Sequence, residues 1–385
     1  MVFTRDEHED IIAEARNDGN VRKKRQAFRD SRYPKTVWKN KRVAFFFDNS
    51  TSEKAKSAFR KAAQAWRDNT CIDIYEDTCG LSLDRIRVLG GERCWSHLGR
   101  KGGEQNLSIG TGCETIYSSA HELGHALGFF HTHARHDRNK FVRILTQNIK
   151  EGWQKDFHMA TTATNFNYHV PFDVGSIMLY TSTTGSANNK PTVLPVDPLH
   201  RNTLGSPFIS FYDFLLLNRH YNCTEKCKPK SSAQCAVGGF PHPRNCSKCI
   251  CPGGYGGPLC KHRPSGCGSV LTATPVASTF KDILGNKSLG RTLREDFSKC
   301  HYWIKAPKGK KVEIKLLHFS AGMESDGCRI GGVEIKTQAD QRLTGYRFCS
   351  KDNLNTTLVS PHSVVPIITY NRAYYTKTVI QYRHL

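Results

Sequence analysis

The stretch HELGHALGFFH, residues 121–131, decides how this chain folds and what it can bind. On a helix, His121 and His125 stand four residues apart, so both imidazoles project from one face and can reach one metal ion. Gly128 would end that helix, because glycine readily adopts the left-handed conformation that turns the chain back toward the metal. His131 then becomes the third ligand. Three protein ligands leave one position open for water, which is typical of a catalytic zinc site.

The carboxylate of Glu122 directly follows the first of these histidines. There it can take a proton from a zinc-bound water, whose pKa zinc lowers from about 15.7 to about 7. We therefore predict one Zn²⁺ per chain and a water that Glu122 activates for attack on a peptide carbonyl. About half of isolated HExxH matches arise by chance and have no function, so the surrounding residues must show whether this one is a zinc site.

The longer pattern HExxHxxGxxH is the metzincin signature, and that class also has a methionine turn beneath the metal. SIMLY, residues 176–180, fits such a turn. Together the two motifs resemble the astacin family of zinc endopeptidases. Residues 94–105 are similar to the family's CxSxxGRxGGxQ segment, and an apolar helix over residues 210–221 leads to Cys223, where the family's catalytic domain ends. The resemblance covers residues 26–223.

The resemblance assigns roles to two further residues. Tyr180 would ligate zinc at rest and swing away to donate to the tetrahedral oxyanion, and such a donor is worth about 3 kcal/mol in other hydrolases. Without its place after the methionine turn, Tyr180 would be interpreted as a core tyrosine. Met178 would pack under the ligands through its thioether without binding the metal.

One position departs from the family pattern. Relatives place a glutamate after the third histidine, where it pairs with the new amino terminus once the propeptide is removed. Here that position is Thr132, whose uncharged hydroxyl would leave a buried ammonium without its partner, at a cost of roughly several kcal/mol. The sequence thus argues against such locking, although Arg135, Asp137 and Arg138 keep the family's RxDR pattern.

The cysteine content indicates an oxidising compartment. Fifteen cysteines occur in 385 residues, whereas cytosolic thiols are kept reduced. Sequons at Asn49, Asn106, Asn286 and Asn355 are glycosylation candidates that agree with secretion, although such triplets are common by chance. No stretch of the sequence is apolar for long enough to span a membrane. We therefore expect a secreted, extracellular protein.

The amino-terminal residues conflict with that expectation, because residues 1–30 are charged and contain no apolar core of a signal peptide. We give more weight to the cysteines and expect residues 1–25 to be the remnant of a propeptide whose signal lies upstream. RKKR, residues 22–25, would then be a processing site, with Arg25 before and Gln26 after the cleaved bond. A solvated charge run or a nuclear signal is the alternative, with about one third of the weight.

The fold class predicted for residues 26–223 is α+β, with two lobes and the zinc at the floor of the cleft between them. A strand at Arg42–Phe47 precedes a helix opened by a capping box of Ser50 and Glu53. Short strands near residues 72–75, 86–89 and 106–109 are expected to form a twisted sheet. The active-site helix follows, over roughly residues 115–129.

Six cysteines follow within a short span rich in glycine and proline, too small to be held together by burial alone. The ending CICPGGYGGPLC resembles an EGF-like module, which we assign to residues 224–262. The resemblance implies the pairs Cys227–Cys246, Cys235–Cys249 and Cys251–Cys260. A zinc ribbon is the alternative, at about one in ten. Calcium is not expected, because the acidic entry sequence of calcium-binding relatives is absent.

Alternating segments at residues 311–317 and 332–336 predict a β-sandwich over residues 267–385. Its cysteines resemble the four-cysteine pattern of a CUB domain, which implies the pairs Cys267–Cys300 and Cys328–Cys349. No calcium site is predicted, since no acidic residue follows Cys328 closely. Protease, EGF-like module and CUB domain in this order resemble nematode astacins, several of which act on cuticle or egg coat.

In the protease region we expect Cys71–Cys223, which would tie the two lobes together, and Cys94–Cys113. Cys79 is then left over. An odd cysteine indicates a free thiol or an intermolecular bridge, and the sequence leaves both open.

The formal net charge of +22 implies attraction to polyanions. Nucleic acid would be the default partner inside a cell, but extracellular placement favours sulfated polysaccharide or an acidic protein and argues against nucleic acid. The alternative, a basic surface that binds no particular partner, keeps about half of the weight.

Three classes of function follow from these patterns. The first is an active secreted metalloendopeptidase that cleaves extracellular proteins of cuticle, egg coat or matrix. The second is a secreted matrix-binding protein that acts through its EGF-like and CUB modules above a silent protease, although inactive relatives usually lose a ligand or the base. The third, a zinc enzyme acting on small molecules, fits poorly with the peptide-binding strand and the extra modules.

Overall fold

The structure, a computed structural model, describes residues 25–28 and 33–385. The predicted propeptide lies outside these residues except for Arg25. The helices are α1 Glu53–Asp68, α2 Ile116–Ala126 and α3 Phe211–His220. The strands up to α3 and in the small unit after it are β1 Arg25–Phe28, β2 Arg42–Phe47, β3 Asp73–Glu76, β4 Arg85–Leu89, β5 Cys94–Ser96, β6 Glu104–Ile109, β7 Val142–Ile144, β8 Asn165–Phe166, β9 Val193–Pro195, β10 Phe240–His242 and β11 Asn245–Ile250. The remaining strands are β12 Val270–Thr272, β13 Ser278–Gly285, β14 Ser298–Lys305, β15 Val312–Phe319, β16 Gly331–Ile335, β17 Tyr346–Phe348, β18 Thr357–Ser360, β19 Val364–Asn371 and β20 Tyr375–His384.

The first lobe is a five-stranded mixed sheet covered by α1 and α2. Its strand order is β3-β2-β4-β6-β5, and only the edge strand β5 runs antiparallel to its neighbour. The buried face of α1 carries Phe59 and Trp66 at helical spacing, and both side chains are inaccessible to solvent. Burial of these aromatic faces against α2 fixes the helix that carries the HExxH motif.

The start of α1 differs from the sequence prediction. Ser52, not Ser50, is the N-cap, and its hydroxyl accepts a hydrogen bond from the backbone N–H of Ala55. Ser50 is instead engaged in the preceding turn, where its hydroxyl donates to Asp48 at 2.6 Å and accepts from the N–H of Gly90. The predicted capping box of Ser50 and Glu53 is therefore wrong, because a tertiary contact competes for the same hydroxyl.

The second lobe is mostly irregular, with two short strand pairs and a helix. Strand β1 pairs with β8, and β7 pairs with β9. Helix α3 begins with a capping box in which Ser210 and Asp213 bond each other's backbone N–H groups. A disulfide from Cys71 to Cys223 joins the end of this lobe to the first, and a second links Cys94 to Cys113.

Beyond Cys223 the chain forms a small unit and then a sandwich of two sheets. The small unit has one strand pair and the disulfides Cys227–Cys246, Cys235–Cys249 and Cys251–Cys260. The sandwich has sheets of order β12-β14-β19-β16-β17 and β13-β20-β15-β18, whose apolar faces share one core. Its disulfides are Cys267–Cys300 and Cys328–Cys349. All seven pairs match those expected from the sequence, and Cys79 is exposed and forms no disulfide within this chain.

The sandwich packs directly on the two lobes. The carboxylate of Asp173, buried in the second lobe, accepts from the backbone N–H and the hydroxyl of Thr344, at 3.2 and 3.1 Å. Ser182 donates to Asp326 at 3.0 Å. Arg244 of the small unit donates to the carbonyl of Ile72 at 2.8 Å. Both added units therefore contact the two lobes through specific polar groups.

Among the described residues, no helix combines the length and the apolar character that crossing a bilayer requires.

Candidate metal centre

Helix α2 positions the first two predicted ligands. Thr115 caps its start by accepting from the N–H of Ser118, and Trp66 and Trp38 donate their indole N–H groups to the carbonyls of Ala120 and Ala126. These anchors fix the rotation of the helix, so that His121 and His125 face the cleft.

Gly128 ends this helix as predicted. Its φ of 105° lies in the left-handed region that favours glycine, and the chain reverses there to bring His131 back to the other two histidines. Addition of a Cβ at Gly128 would also place an atom 3.0 Å from His220.

The three predicted ligands converge. The Nε2 atoms of His121 and His125 lie 3.0 Å apart, and those of His125 and His131 lie 3.1 Å apart. All three imidazoles are buried, and their ligand atoms lie within 4.8 Å of one another. Within the described residues this is the one group of three or more such side chains that could hold a metal ion.

The hydrogen bonds of these rings determine which nitrogens carry protons. Nδ1 of His121 lies 2.7 Å from the carbonyl of Ile177, and Nδ1 of His125 lies 2.6 Å from the carbonyl of Phe129. A carbonyl only accepts, so each Nδ1 carries the hydrogen and each Nε2 presents a bare lone pair. Burial holds the pKa of His121 well below its usual range, which keeps the ring neutral. Lone pairs that face each other at 3.0 Å repel unless a cation lies between them, and a Zn²⁺ ion fits this donor set.

Glu122 lies beside the three ligands. Its side chain is 0 % exposed, and neither carboxylate oxygen has a hydrogen-bond partner in the described part of the chain. Burial raises the pKa of Glu122 to about 8. A buried carboxylate without a protein partner is costly, so Glu122 is an unusual feature of this part of the chain.

Met178 and Tyr180 take the positions that the methionine turn predicts. Met178 is buried, and its carbonyl accepts from the N–H of Thr132 at 2.9 Å. Tyr180 is 3 % exposed, and its ring centroid lies 4.3 Å from that of His131 and 4.0 Å from that of His133. Burial raises the pKa of Tyr180 well above its usual value, so the phenol keeps its proton and can donate it.

Thr132 takes part in a buried hydroxyl network. Its Oγ1 lies 2.8 Å from Oγ of Ser176, which donates to the carboxylate of Asp213 at 2.6 Å. The other carboxylate oxygen of Asp213 accepts from the N–H of Ile177, the residue whose carbonyl orients His121. Thr132, which stands where the family has a glutamate, is thus bonded to the methionine turn through neutral hydroxyls.

Sequence reasoning missed three residues around the centre. His133 stacks on His131, and the centroids of the two rings lie 5.1 Å apart. Its position two residues after the third ligand was the sequence signal that could have revealed it. Gly124 has Met178 so close that an added Cβ would meet its sulfur at 2.6 Å. Asp213 appeared only as part of an apolar helix, and its role depends on contacts distant in sequence.

The remaining predicted sites lie away from the centre. Asn49, Asn286 and Asn355 are exposed, whereas Asn106 is half-buried within β6 in the interior of the mixed sheet. Arg25 and Gln26 begin β1, which pairs with β8.

Three buried histidines on a helix–turn segment above a methionine are the arrangement of the metzincin class. The family model for the astacin peptidases matches residues 30–222. The chain belongs to the astacin family.

Similar proteins are described as zinc metalloproteinases. Zinc metalloproteinase nas-31 of Caenorhabditis elegans is 46% identical over 387 residues, which cover 100% of this chain and 62% of that protein. Zinc metalloproteinase nas-25 of the same nematode is 36% identical, with 91% of this chain and 87% of that protein covered. Among solved structures, High choriolytic enzyme 1, a hatching enzyme zinc-protease from Oryzias latipes, is 30% identical with a TM-score of 0.46 and covers 51% of this chain and 98% of its own. The chain thus spans about three fifths of the length of nas-31.

Proposed function

We propose that this chain is a secreted zinc-dependent metalloendopeptidase that hydrolyses peptide bonds of extracellular proteins, such as those of cuticle, egg coat or matrix. One observation carries the proposal: the Nε2 atoms of three histidines converge beside a buried Glu122 carboxylate that has no partner among the described residues. Such a set binds zinc and leaves a base aimed at the open position.

The chain's own residues would divide the work as follows. His121, His125 and His131 would hold the zinc, which when bound lowers the pKa of water and polarises a carbonyl. Glu122 accepts the proton of the attacking water on a carboxylate oxygen and delivers it to the nitrogen of the leaving amine. Tyr180 donates its phenolic hydrogen to the oxyanion, since its high pKa keeps it protonated.

The modular organisation is part of the same proposal. The three disulfides and the strand pair of residues 224–262 support an EGF-like module. The two-sheet sandwich with two disulfides supports a CUB domain at residues 267–385. The disulfides of all three units support an extracellular location. Glycosylation at the exposed sequons and processing between Arg25 and Gln26 complete the proposal.

A matrix-binding protein with a silent protease is the second candidate. The net charge of +22 favours it, because a strongly basic protein is attracted to acidic matrix. The retention of all three histidines and of Glu122 favours the enzyme.

The test is Glu122→Gln, which removes the base and keeps the volume. Wild type and variant, each cleaved after Arg25 and also uncleaved, are assayed on casein with and without 1,10-phenanthroline, and zinc is measured on the same samples. We expect an unchanged zinc content and a loss of activity of about 10³-fold.

The exposed Glu151 supplies a matched control, and Glu151→Gln should retain full activity. If cleaved wild-type protein binds zinc but has no activity on casein, gelatin or peptide libraries, the silent alternative is favoured. Equal activity of the Glu122→Gln variant and wild type would remove Glu122 from the mechanism.

A further inference from the structure

A cavity of about 440 Å³ lies where the protease, the small unit and the sandwich meet. We call it the junction cavity and define it by Phe208 of the protease, Gly254 of the small unit and Lys299, Lys336 and Tyr370 of the sandwich. It lies outside the metal centre, whose three histidines and Glu122 are not among its lining residues.

Two neighbouring strands of the sandwich form its polar wall. In the antiparallel pair β14 and β19, Lys299 lies opposite Tyr370, and His301 lies opposite Ile368. Directly opposed residues, and residues two apart on one strand, share a face of the sheet. All four therefore face the cavity, and all four line it.

This wall offers no free strand edge. Strand β19 has neighbours on both sides in the sheet, and the backbone N–H of His301 in β14 donates outward to the carbonyl of Cys267 at 2.9 Å. An extended peptide that adds to a sheet needs unpaired backbone groups. The cavity is therefore suited to a compact ligand.

The charge of the lining is positive. Its cations are Lys299, Lys336, Arg342 and Arg347, and Glu334 is its one carboxylate. Glu334 pairs with Arg347 at 2.9 Å, and Arg342 pairs at 2.8 Å with Asp340, which is not part of the lining.

Lys299 has no such pairing. Its ammonium lies 3.7 Å from the centroid of the Phe208 ring, and no carboxylate of the described chain forms an ion pair with it. The side chain of Lys299 is exposed, so its ammonium is accessible to a ligand. Desolvation by the surrounding groups and repulsion by Arg347 lower its pKa to about 8, while Glu334 acts in the opposite direction.

Two further polar atoms on this wall lack a partner. The hydroxyl of Tyr370, whose side chain is 0 % exposed, and Nδ1 of His301 make no hydrogen bond within the described residues. Neither atom has accessible surface, so a ligand in the cavity would meet the exposed Lys299 rather than these two groups.

We propose that the junction cavity binds a sulfated saccharide unit, with the ammonium of Lys299 donating to its sulfate oxygens. A sulfate carries a permanent charge and several acceptor oxygens, as this wall requires. The apolar side chains of Phe208, Ile250 and Ile368 supply surface for a sugar ring. The net charge of +22 would draw such polyanions to the protein. The inference does not depend on peptidase activity.

The test is calorimetric titration of the full chain at about 0.15 M salt with a trisulfated heparin disaccharide. We expect saturable 1:1 binding that Lys299→Met weakens by about ten-fold or more. Tyr370→Phe, which removes a hydroxyl without accessible surface, should leave the affinity within about two-fold of wild type.

Lys305→Met is the matched control, because Lys305 is an exposed lysine of the same strand outside the cavity lining. Its affinity should stay within about two-fold of wild type, since distant surface charges are screened at this salt concentration. Zinc content and casein cleavage are recorded on every variant and should not change.

Three results would overturn the proposal. Equal losses for Lys299→Met and Lys305→Met would indicate diffuse attraction to the basic surface. Equal binding of the unsulfated disaccharide would exclude recognition of sulfate. Tighter, Lys299-dependent binding of a tetraglutamate peptide would assign the cavity to acidic peptides instead. If the protein has no peptidase activity but still binds the disaccharide through Lys299, the saccharide site is supported. Only the proposed enzyme function is then rejected.

Discussion

The metal centre and the junction cavity both present buried polar groups without protein partners, but they are built over very different sequence distances. The ligands and Glu122 lie within residues 121–131, on one helix and the turn after it. The junction cavity combines Phe208 with Lys299 and Tyr370, from separate units. The first arises from local backbone geometry, whereas the second exists only after three units have assembled. Damage to the packing of one site should therefore leave the other intact.

The largest expected effect is that of Gly124→Ala, which tests the metal centre, the site built from residues close in sequence. Alanine in a helix interior is normally more stable than glycine by about 1 kcal/mol. Here the new Cβ would meet the buried sulfur of Met178 at 2.6 Å, so we expect a loss of about 2 kcal/mol in the free energy of unfolding and a lower zinc content. Urea denaturation and metal analysis provide the measurements.

Met178→Ala supplies the background for a double-mutant cycle. With the sulfur gone, Gly124→Ala should cost less than it does in wild type. Equal costs in the two backgrounds would mean that the contact with Met178 is not the cause. Disaccharide binding at the junction cavity should persist in the folded variants.

The next effect concerns a contact between the units. Thr344→Val removes the hydroxyl that donates to the buried carboxylate of Asp173 and keeps the shape of the side chain. We expect a loss of about 1 to 2 kcal/mol in the free energy of unfolding, because the carboxylate loses a donor that water cannot easily replace.

Thr357→Val, at an exposed threonine of the same sandwich, is the control and should change stability by less than about 0.5 kcal/mol. Asp173 precedes the methionine turn, so catalytic efficiency on casein is measured as well. An unaffected stability in the Thr344→Val variant would show that this contact does not hold the units together.

The smallest effect is a pH dependence at the same interface. The ring of His200 in the second lobe packs at a tilt against Tyr346 of the sandwich, with centroids 4.5 Å apart, and burial lowers the pKa of His200 to about 4. Its pKa is about 6.5 in the unfolded chain, so the unfolded state binds the proton more readily. The stability that this neutral ring contributes is present above about pH 6.5 and is lost as the pH falls from about 6.5 toward 4.

His200→Gln should flatten that part of the stability profile by about 1 kcal/mol, measured by thermal unfolding between about pH 4 and pH 7. Asp197, Glu334 and Arg347 also act on this ring and remain in the variant. His262→Gln, at an exposed histidine, should leave the profile unchanged. A profile of the His200→Gln variant that coincides with wild type would contradict the assignment.

The sequence predicted the elements that local periodicity determines. Strand β2 and the turn at Gly128 were predicted correctly, and the other strands of the mixed sheet for which bounds were predicted lay within two residues of them. The N-cap of α1 was wrong, because the hydroxyl of Ser50 accepts from the backbone N–H of Gly90, a contact distant in sequence that local pattern rules do not weigh. A prediction was correct where neighbouring residues alone determine the local structure, and it was wrong where a residue distant in sequence competes for the same hydrogen-bonding group.

The centre itself was predictable for the same reason. Ligand spacing, the base and the methionine turn each have a short sequence pattern, whereas the packing of Gly124 on Met178 and the bond from Ser176 to Asp213 join separate segments. The docking of the sandwich on Asp173 left no sign in the sequence, because a threonine at position 344 resembles any other threonine of a β-strand region.

The bond between Asp173 and Thr344 also has a consequence for biosynthesis. A chain emerges from the ribosome amino terminus first, so the segment under the metal is complete long before residue 344 is made. Until then the Asp173 carboxylate lacks two of its three donors and remains hydrated. The second lobe would therefore reach its final packing only after residue 344 has emerged, so completion of the segment beneath the metal centre would wait for synthesis of the sandwich.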